Sequence, residues 1–247
     1  MRTSAGLVNQ GPPLHFIAIV ITPAERRAQS RELAVLILLY LLQISNAEML
    51  RRAAGDDIGR MGGTEAGRLV DWSLLLANQV HPVAMVIFGV WLTTIAVLLG
   101  RGLPLPRWSF DGPGLWFSIR LLLEFLTING LVFVGSKVAP GVLLGQIILY
   151  LPYFVITWGW IFQRVDLVGR SQPGLVIKLC DADPNKSITS FDYYHTSINN
   201  LLSKSKQPTV VGVSRAGRVL VLTYLGMLVA LYAVVFTRIL QLTRAVV

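Results

Sequence analysis

The stretch VHPVAMVIFGVWLTTIAVLLG, residues Val80–Gly100, runs without a single charged side chain. A helix needs about 20 apolar residues to cross a hydrocarbon core about 30 Å thick, at about 1.5 Å of rise per residue. In lipid only a helix or a closed barrel satisfies its own backbone, so this stretch reads as a spanning helix. Three other segments reach the same length. Leu115–Gly135 carries Arg120 and Glu124, Pro140–Phe162 carries no charge, and a last run extends from Val219 to about Thr237 between Arg218 and Arg238. A fifth segment, Leu33–Ile44, is apolar but short, with Arg26, Arg27 and Arg31 before it and Arg51 and Arg52 after it. It spans if extended to about Ala47, or lies on the membrane surface as an interfacial helix; the second arrangement is favoured. The expectation is an all-α integral membrane protein with four spanning helices, five if Leu33–Ile44 crosses.

Composition agrees. The chain has 247 residues, of which 53% are hydrophobic and only 14% charged, against about 25% charged in a soluble domain. The net charge is +9. Its Lys and Arg residues are scattered over the loops between apolar runs, which suits anchoring against anionic lipid better than a nucleic-acid face, and no RNA or DNA motif is visible. The lone cysteine, Cys180, has no partner for an internal disulfide and no Cys or His company for a metal. Residues 1–13 are polar, and Leu14–Ile21 is too short to span and lacks a cleavage pattern, so insertion is expected to rely on the first spanning helix.

Orientation is close to balanced. With four spans and a cytoplasmic C-terminus, eleven Lys and Arg lie inside and nine outside; letting Leu33–Ile44 span gives seven against thirteen and favours the inverted topology. Three regions are expected: 1–78, a cytoplasmic or interfacial N-terminal region; 79–138, two spanning helices; and 139–247, a helix, a polar linker over 164–190, a short amphipathic segment Phe191–Ser203 and a final helix. The amphipathic segment has the length of a re-entrant helix, too short to cross.

Catalytic motifs are absent: no HExxH, GxSxG, P-loop or GxGxxG occurs, and no cofactor or enzymatic activity is expected. His15, His81 and His195 are far apart in sequence, and Asp181 and Asp183 sit in a loop. Arg120 and Glu124 are the most informative polar pair. Four residues apart, they share a helix face, and charges inside an apolar run face a bundle interior or a water-filled cavity. They are either a polar lining or a packing ion pair. Gly141 with Gly145, and Gly226 with Ala230, are small-residue pairs that let helix backbones approach.

The last third adds a resemblance. Phe191-Asp192-Tyr193-Tyr194-His195-Thr196-Ser197 resembles the start of the pore helix in bacterial two-helix potassium channel domains, with Asp192, Tyr193, His195 and Ser197 at the matching positions. Trp160–Asp166 resembles the end of the preceding helix in four-helix members. Ser214–Arg218 and the run to Arg238 resemble the inner helix, with Gly226 where a hinge glycine often stands. The resemblance covers about residues 140–243. It implies an ion-channel-like pore module and a homo-oligomer, a tetramer if channel-like, in a bacterial plasma membrane. The filter departs from the family. A Thr-Val-Gly-Tyr-Gly strand supplies carbonyls that replace the hydration shell of potassium; here the equivalent is Ser203-Lys204-Ser205-Lys206. Without glycine and with two lysines it would repel potassium, so selectivity for that ion does not carry over. The alternative is a non-conducting scaffold or accessory subunit whose partners are the bilayer and other membrane proteins.

Overall fold

The computed structural model describes residues 22–54, 65–133, 140–171, 176–180, 188–202 and 209–246. It contains helices α1 (Pro23–Ala54), α2 (Glu65–Gly100), α3 (Trp108–Phe133), α4 (Pro140–Ser171), α5 (Ser190–Leu201) and α6 (Arg215–Val246), with two short strands, β1 (Ile177–Cys180) and β2 (Thr209–Gly212), on either side of α5. Five helices are long and apolar enough to cross a membrane, over Pro23–Leu50, Gln79–Gly100, Trp108–Val132, Gly141–Leu167 and Arg215–Gln241.

The first of these takes Leu33–Ile44 into a longer helix, the extended one of the two arrangements open to it. Thr22 caps α1, its hydroxyl accepting the Glu25 N–H at 3.2 Å, and Pro23 stands first in the helix, where its missing N–H costs nothing. Leu36 and Leu39 are fully buried in the bundle, and so are Gln43 and Asn46 beyond them. Counting apolar residues stopped the span at Ile44 because the next polar side chains face inward rather than toward lipid. The start of α1 is tied to the turn after α2: Arg26 donates to the Gly100 carbonyl at 3.0 Å and Gln29 to the Leu105 carbonyl at 3.2 Å. In that turn Gly102 adopts φ +74°, and the Leu103 N–H reaches back to the Leu98 carbonyl at 3.1 Å. This is a glycine-closed helix end that a side-chain-bearing residue would strain.

The long helix α4 sits at the centre, touching α1, α3, α5 and α6. Its buried face is aromatic: Tyr150, Tyr153, Phe154, Trp158 and Phe162. Phe154, Trp158 and Phe162 close around Tyr224 of α6, with ring centroids 5.1–5.7 Å away. Arg164 draws three helices together near the end of α4. It pairs with Glu32 of α1 at 3.2 Å and with Asp111 of α3, and its guanidinium lies 6.0 Å from the Trp160 ring centre. Facing outward are apolar rows on α2 (Val83, Val86, Val90) and α6 (Val219, Leu222, Val229, Phe236), each more than half exposed. Apolar rows outside and polar side chains inside are the arrangement a lipid solvent selects.

The stretch expected to be a polar linker, 164–190, is more ordered than that. Helix α4 continues to Ser171, and β1 pairs antiparallel with β2, from Ile177↔Gly212 to Cys180↔Thr209. The fold is therefore helical with one two-stranded ribbon rather than all-α. The ribbon brings the chain ends that flank α5 side by side. The first turn of α6 presses on it: a Cβ on Gly217 would lie 1.7 Å from the Val176 carbonyl oxygen. The boundary drawn at 78/79 falls inside α2.

Candidate functional site

Two places concentrate polar side chains against the membrane helices. The first is α5. Thr189 precedes the helix, and the Asp192 carboxylate takes both the Thr189 N–H at 2.7 Å and its hydroxyl at 2.8 Å. An acidic residue in the first turn reaching back in this way closes a helix start, so Asp192 is a capping residue. From there α5 runs along α4 and is tied to α6 by two tyrosine hydroxyls. Gln163 of α4 donates to the Ser190 hydroxyl at 3.0 Å, Tyr194 donates to Gln163 at 3.2 Å, and the Tyr193 hydroxyl donates to the Asp166 carboxylate. A Cβ on Gly159 would lie 2.3 Å from the Tyr194 ring, so α5 rests directly on the α4 backbone there. On the α6 side, Tyr224 donates to the Ser197 carbonyl at 3.1 Å and Tyr232 to the Leu201 carbonyl. Tyr232 stands between four and five turns into α6, about 25 Å along its axis, so the C-terminal end of α5 reaches well down the final helix.

The faces of α5 are reversed relative to a soluble surface helix. Asp192, Tyr193, Thr196, Ser197 and Asn199 are buried, whereas Phe191 and Leu202 are more than half exposed. His195 is half-buried and stacks on Phe191, with centroids 6.1 Å apart and rings 13° from parallel, and it lies 3.3 Å from the Asn199 amide. Burial raises the Tyr194 hydroxyl above its ordinary value of 10. Gly226 is exposed, with nothing within 4 Å of a Cβ built on it.

The second place lies among α1, α2, α3 and α4. Arg120 and Glu124 are 2% and 1% exposed and pair with each other at 3.6 Å. The pair is within one helix, so it does not itself clamp two helices together. Tyr150 and Tyr153 of α4 and His81 of α2 are within electrostatic reach of the pair, and Gln43 and Asn46 of α1 and Gln146 of α4 are buried in the same bundle. Several of these are fully engaged. Tyr150 donates to the Leu121 carbonyl at 3.1 Å and Tyr153 to the Phe117 carbonyl at 2.6 Å. The Asn46 amide donates to the Leu42 and Leu149 carbonyls, and the Gln146 amide donates to the Asn46 oxygens.

Other atoms are not. Among the described residues, Gln43 Oε1 and Nε2, His81 Nδ1, Arg120 Nε and Nη2, both Glu124 carboxylate oxygens and Gln146 Oε1 are buried without a hydrogen-bond partner.

The structure thus places Arg120 and Glu124 at a polar interior and Asp192, Tyr193 and Ser197 on the buried face of α5. His195 sits at the rim of that face, and Gly226 is apart from both places. The filter-equivalent residues Ser203, Lys204, Ser205 and Lys206 lie outside the described residues, as does His15. Sequence reasoning missed Gln43, Asn46, Gln146, Tyr150 and Tyr153, which are uncharged and hidden in apolar runs. Their spacing was the available signal: Gln43 with Asn46 and Gln146 with Tyr150 fall three and four apart, each pair on one helix face. Among the described residues no group of three His, Cys, Asp or Glu side chains could hold a metal. No family model matches this chain, and neither a curated protein nor a solved structure is matched by it.

Proposed function

We propose that the chain is an ion-channel-like multi-pass protein of a bacterial plasma membrane, with α4, α5 and α6 as its pore module. The observation that carries this is the seating of α5. A twelve-residue helix, too short to cross, packs along α4 with its polar face buried, and Tyr224 and Tyr232 of α6 donate to its Ser197 and Leu201 carbonyls. Backbone that enters membrane depth and turns back is tolerated where it lines water or is buried in protein. The segment that follows α5, Ser203–Lys206, is the filter equivalent, and four copies would place α6 around a shared axis. Two lysines per chain favour anions there. Flux of potassium and of chloride into liposomes containing the purified protein tests it. Chloride flux that falls in a Lys204→Gln, Lys206→Gln double variant supports the proposal. Ion selectivity unchanged by both substitutions removes the filter role from them.

A second reading has its own support. The outer face of α6 is apolar from Val219 to Phe236, which suits lipid or another apolar helix as well as a pore wall. A non-conducting accessory subunit would present such a face to a partner. Native mass spectrometry from nanodiscs separates the two: a homotetramer favours the pore module, and a fixed complex with other proteins favours the accessory subunit.

The five-span arrangement also bears on orientation. It puts the start of α1, residues 101–107 and the β1–β2 ribbon on one side, the side with the larger basic count. By the positive-inside tendency that side, from which α5 enters, is cytoplasmic.

A further inference from the structure

We propose that the outer edge of the α1–α2 pair holds an anionic phospholipid, with its phosphate on Arg27, Arg31 and Arg101 and its acyl chains on the apolar rows beneath them. The two helices run antiparallel. Arg26 near the start of α1 donates to the Gly100 carbonyl at the end of α2, and Tyr40 further along α1 donates to the Met85 carbonyl, both at 3.0 Å. A Cβ on Gly89 would meet the Tyr40 hydroxyl at 2.8 Å. The residues one position past these contacts are all exposed: Arg27 and Leu41 on α1, and Val86, Val90 and Arg101 on α2. One position is about 100° of helix. In an antiparallel pair that same step turns both helices toward the same side, so these residues share one surface. Arg31, Ala34 and Leu38 continue it on α1 and Val97 on α2. The Arg101 N–H still bonds the Val97 carbonyl at 3.0 Å, which keeps Arg101 on the α2 row.

The surface is divided by level. Its arginines stand where α1 begins and α2 stops, at one boundary of the apolar stretches Pro23–Leu50 and Gln79–Gly100. Arg31, one turn below Arg27, has the length to snorkel to the same level. Below them Leu38, Leu41, Val86, Val90 and Val97 are between 44% and 67% exposed. Among the described residues none of the three guanidinium groups has an ion pair or a hydrogen bond. The acids nearest in sequence on α1 are placed elsewhere: Glu25, two positions from Arg27, lies on the other side of the helix, and Glu32 pairs with Arg164. Charge and level together choose the occupant. Three cations without counter-ions at headgroup depth attract a phosphate, which guanidinium groups engage two oxygens at a time, and the rows below offer apolar surface to the chains. A zwitterionic lipid brings its own ammonium to the arginine level and gains less. A second copy of the chain, turned about an axis along the membrane normal, would bring three more arginines to that level and be repelled.

The test is native mass spectrometry of the full chain in detergent, titrated with an equimolar mixture of dioleoyl phosphatidylglycerol and dioleoyl phosphatidylcholine. The expected result is retention of phosphatidylglycerol over phosphatidylcholine by about tenfold or more. That preference should be lost when Arg27→Gln, Arg31→Gln and Arg101→Gln are combined. It should be kept when Lys178→Gln, Arg215→Gln and Arg218→Gln are combined, which removes as many exposed cations from the ribbon and the start of α6. If the first triple variant does not fold, Arg27→Gln with Arg31→Gln should still lower the preference by about threefold or more. Equal retention of the two lipids, or a loss as large in the second triple variant as in the first, overturns the proposal. So does displacement of the lipid by millimolar inorganic phosphate, which would make this a site for a free anion, or a dimer that excludes lipid. None of these readouts depends on Lys204, Lys206 or conduction, so failure here is distinguishable from failure of the pore module.

Discussion

Gly159 and Gly226 separate two uses of glycine that look alike in a chain of this composition. A Cβ at Gly159 would meet the Tyr194 ring at 2.3 Å and its Cα at 3.0 Å. The backbone cannot swing aside as a side-chain tip can, so Gly159→Ala is expected to push α5 off α4 and destabilise the protein by about 1–3 kcal/mol. Gly226 has open space around it, and alanine there should be neutral or stabilising by up to about 1 kcal/mol through helix propensity. Chemical or thermal unfolding in one detergent compares them; equal losses would mean that the α4–α5 seat is not as close as the geometry has it. The contrast also bears on the small-residue pairs. A Cβ on Gly145 would meet the Met49 methyl at 2.8 Å, whereas one on Gly141, as on Gly226, would meet nothing within 4 Å, so one glycine of the GxxxG pair serves packing within the chain. Tyr194 gives a pH dependence. Burial raises its hydroxyl, so above pH 10 the unfolded chain loses this proton before the folded one does. The contribution of Tyr194 is fully present below pH 10 and lost as pH climbs through the folded value. Tyr194→Phe should flatten the alkaline limb of the stability curve and lower its neutral plateau by about 1 kcal/mol through the lost bond to Gln163.

Helix ends and helix contacts carry the next set of forces. Arg164 joins α1, α3 and α4 through Glu32 and Asp111, and it also reaches the Arg107 carbonyl at 3.4 Å. Its side chain is 12% exposed, with Glu32 at 20% and Asp111 at 48%, so the network is partly shielded from water. Removing the cation leaves two acids near each other. Arg164→Ala is expected to cost about 1–3 kcal/mol, and Glu32→Gln in the same background should recover part of it. A double-mutant cycle on Tm checks this, with strict additivity as the outcome that denies the coupling. At the start of α5, Asp192 holds the Thr189 N–H and hydroxyl. Asp192→Ala should cost about 1 kcal/mol as a lost cap, whereas Asp192→Asn should retain part of the bond. A flux defect in Asp192→Asn beyond its stability loss would assign this residue more than a capping role.

For the molecule as a whole, the span count decides topology. With five spans the start of α1 and the β1–β2 ribbon lie on one side; with four they lie on opposite sides. Cys180, half-buried at the end of β1, supplies a native probe. In a Cys180→Ser background, Ala24→Cys should react with an impermeant maleimide from the same face as Cys180 does in the parent chain, and Glu65→Cys from the other face. Labelling of positions 24 and 180 from opposite faces would return α1 to the membrane surface. Labelling of both only after the cytoplasmic face is opened is what the basic count requires.

The long apolar runs of α2, α3, α4 and α6 were legible in the amino-acid order, because hydrocarbon thickness alone fixes how many consecutive apolar residues a crossing needs. So were the short amphipathic segment near Phe191 and the burial of Arg120 and Glu124, since helical spacing and the expense of charge in lipid are local facts. The full length of α1 was not legible, because Gln43 and Asn46 interrupt its apolar run and only their burial in the bundle leaves a helix long and apolar enough to cross. The pairing of β1 with β2 joins residues about thirty apart through backbone bonds that no side-chain pattern records. The polar contacts inside the bundle likewise depend on Asn46 of α1 meeting Gln146 of α4 and on Tyr150 and Tyr153 of α4 meeting carbonyls of α3. Those bonds form only when the helices pack, because in separation each group is free to turn toward water.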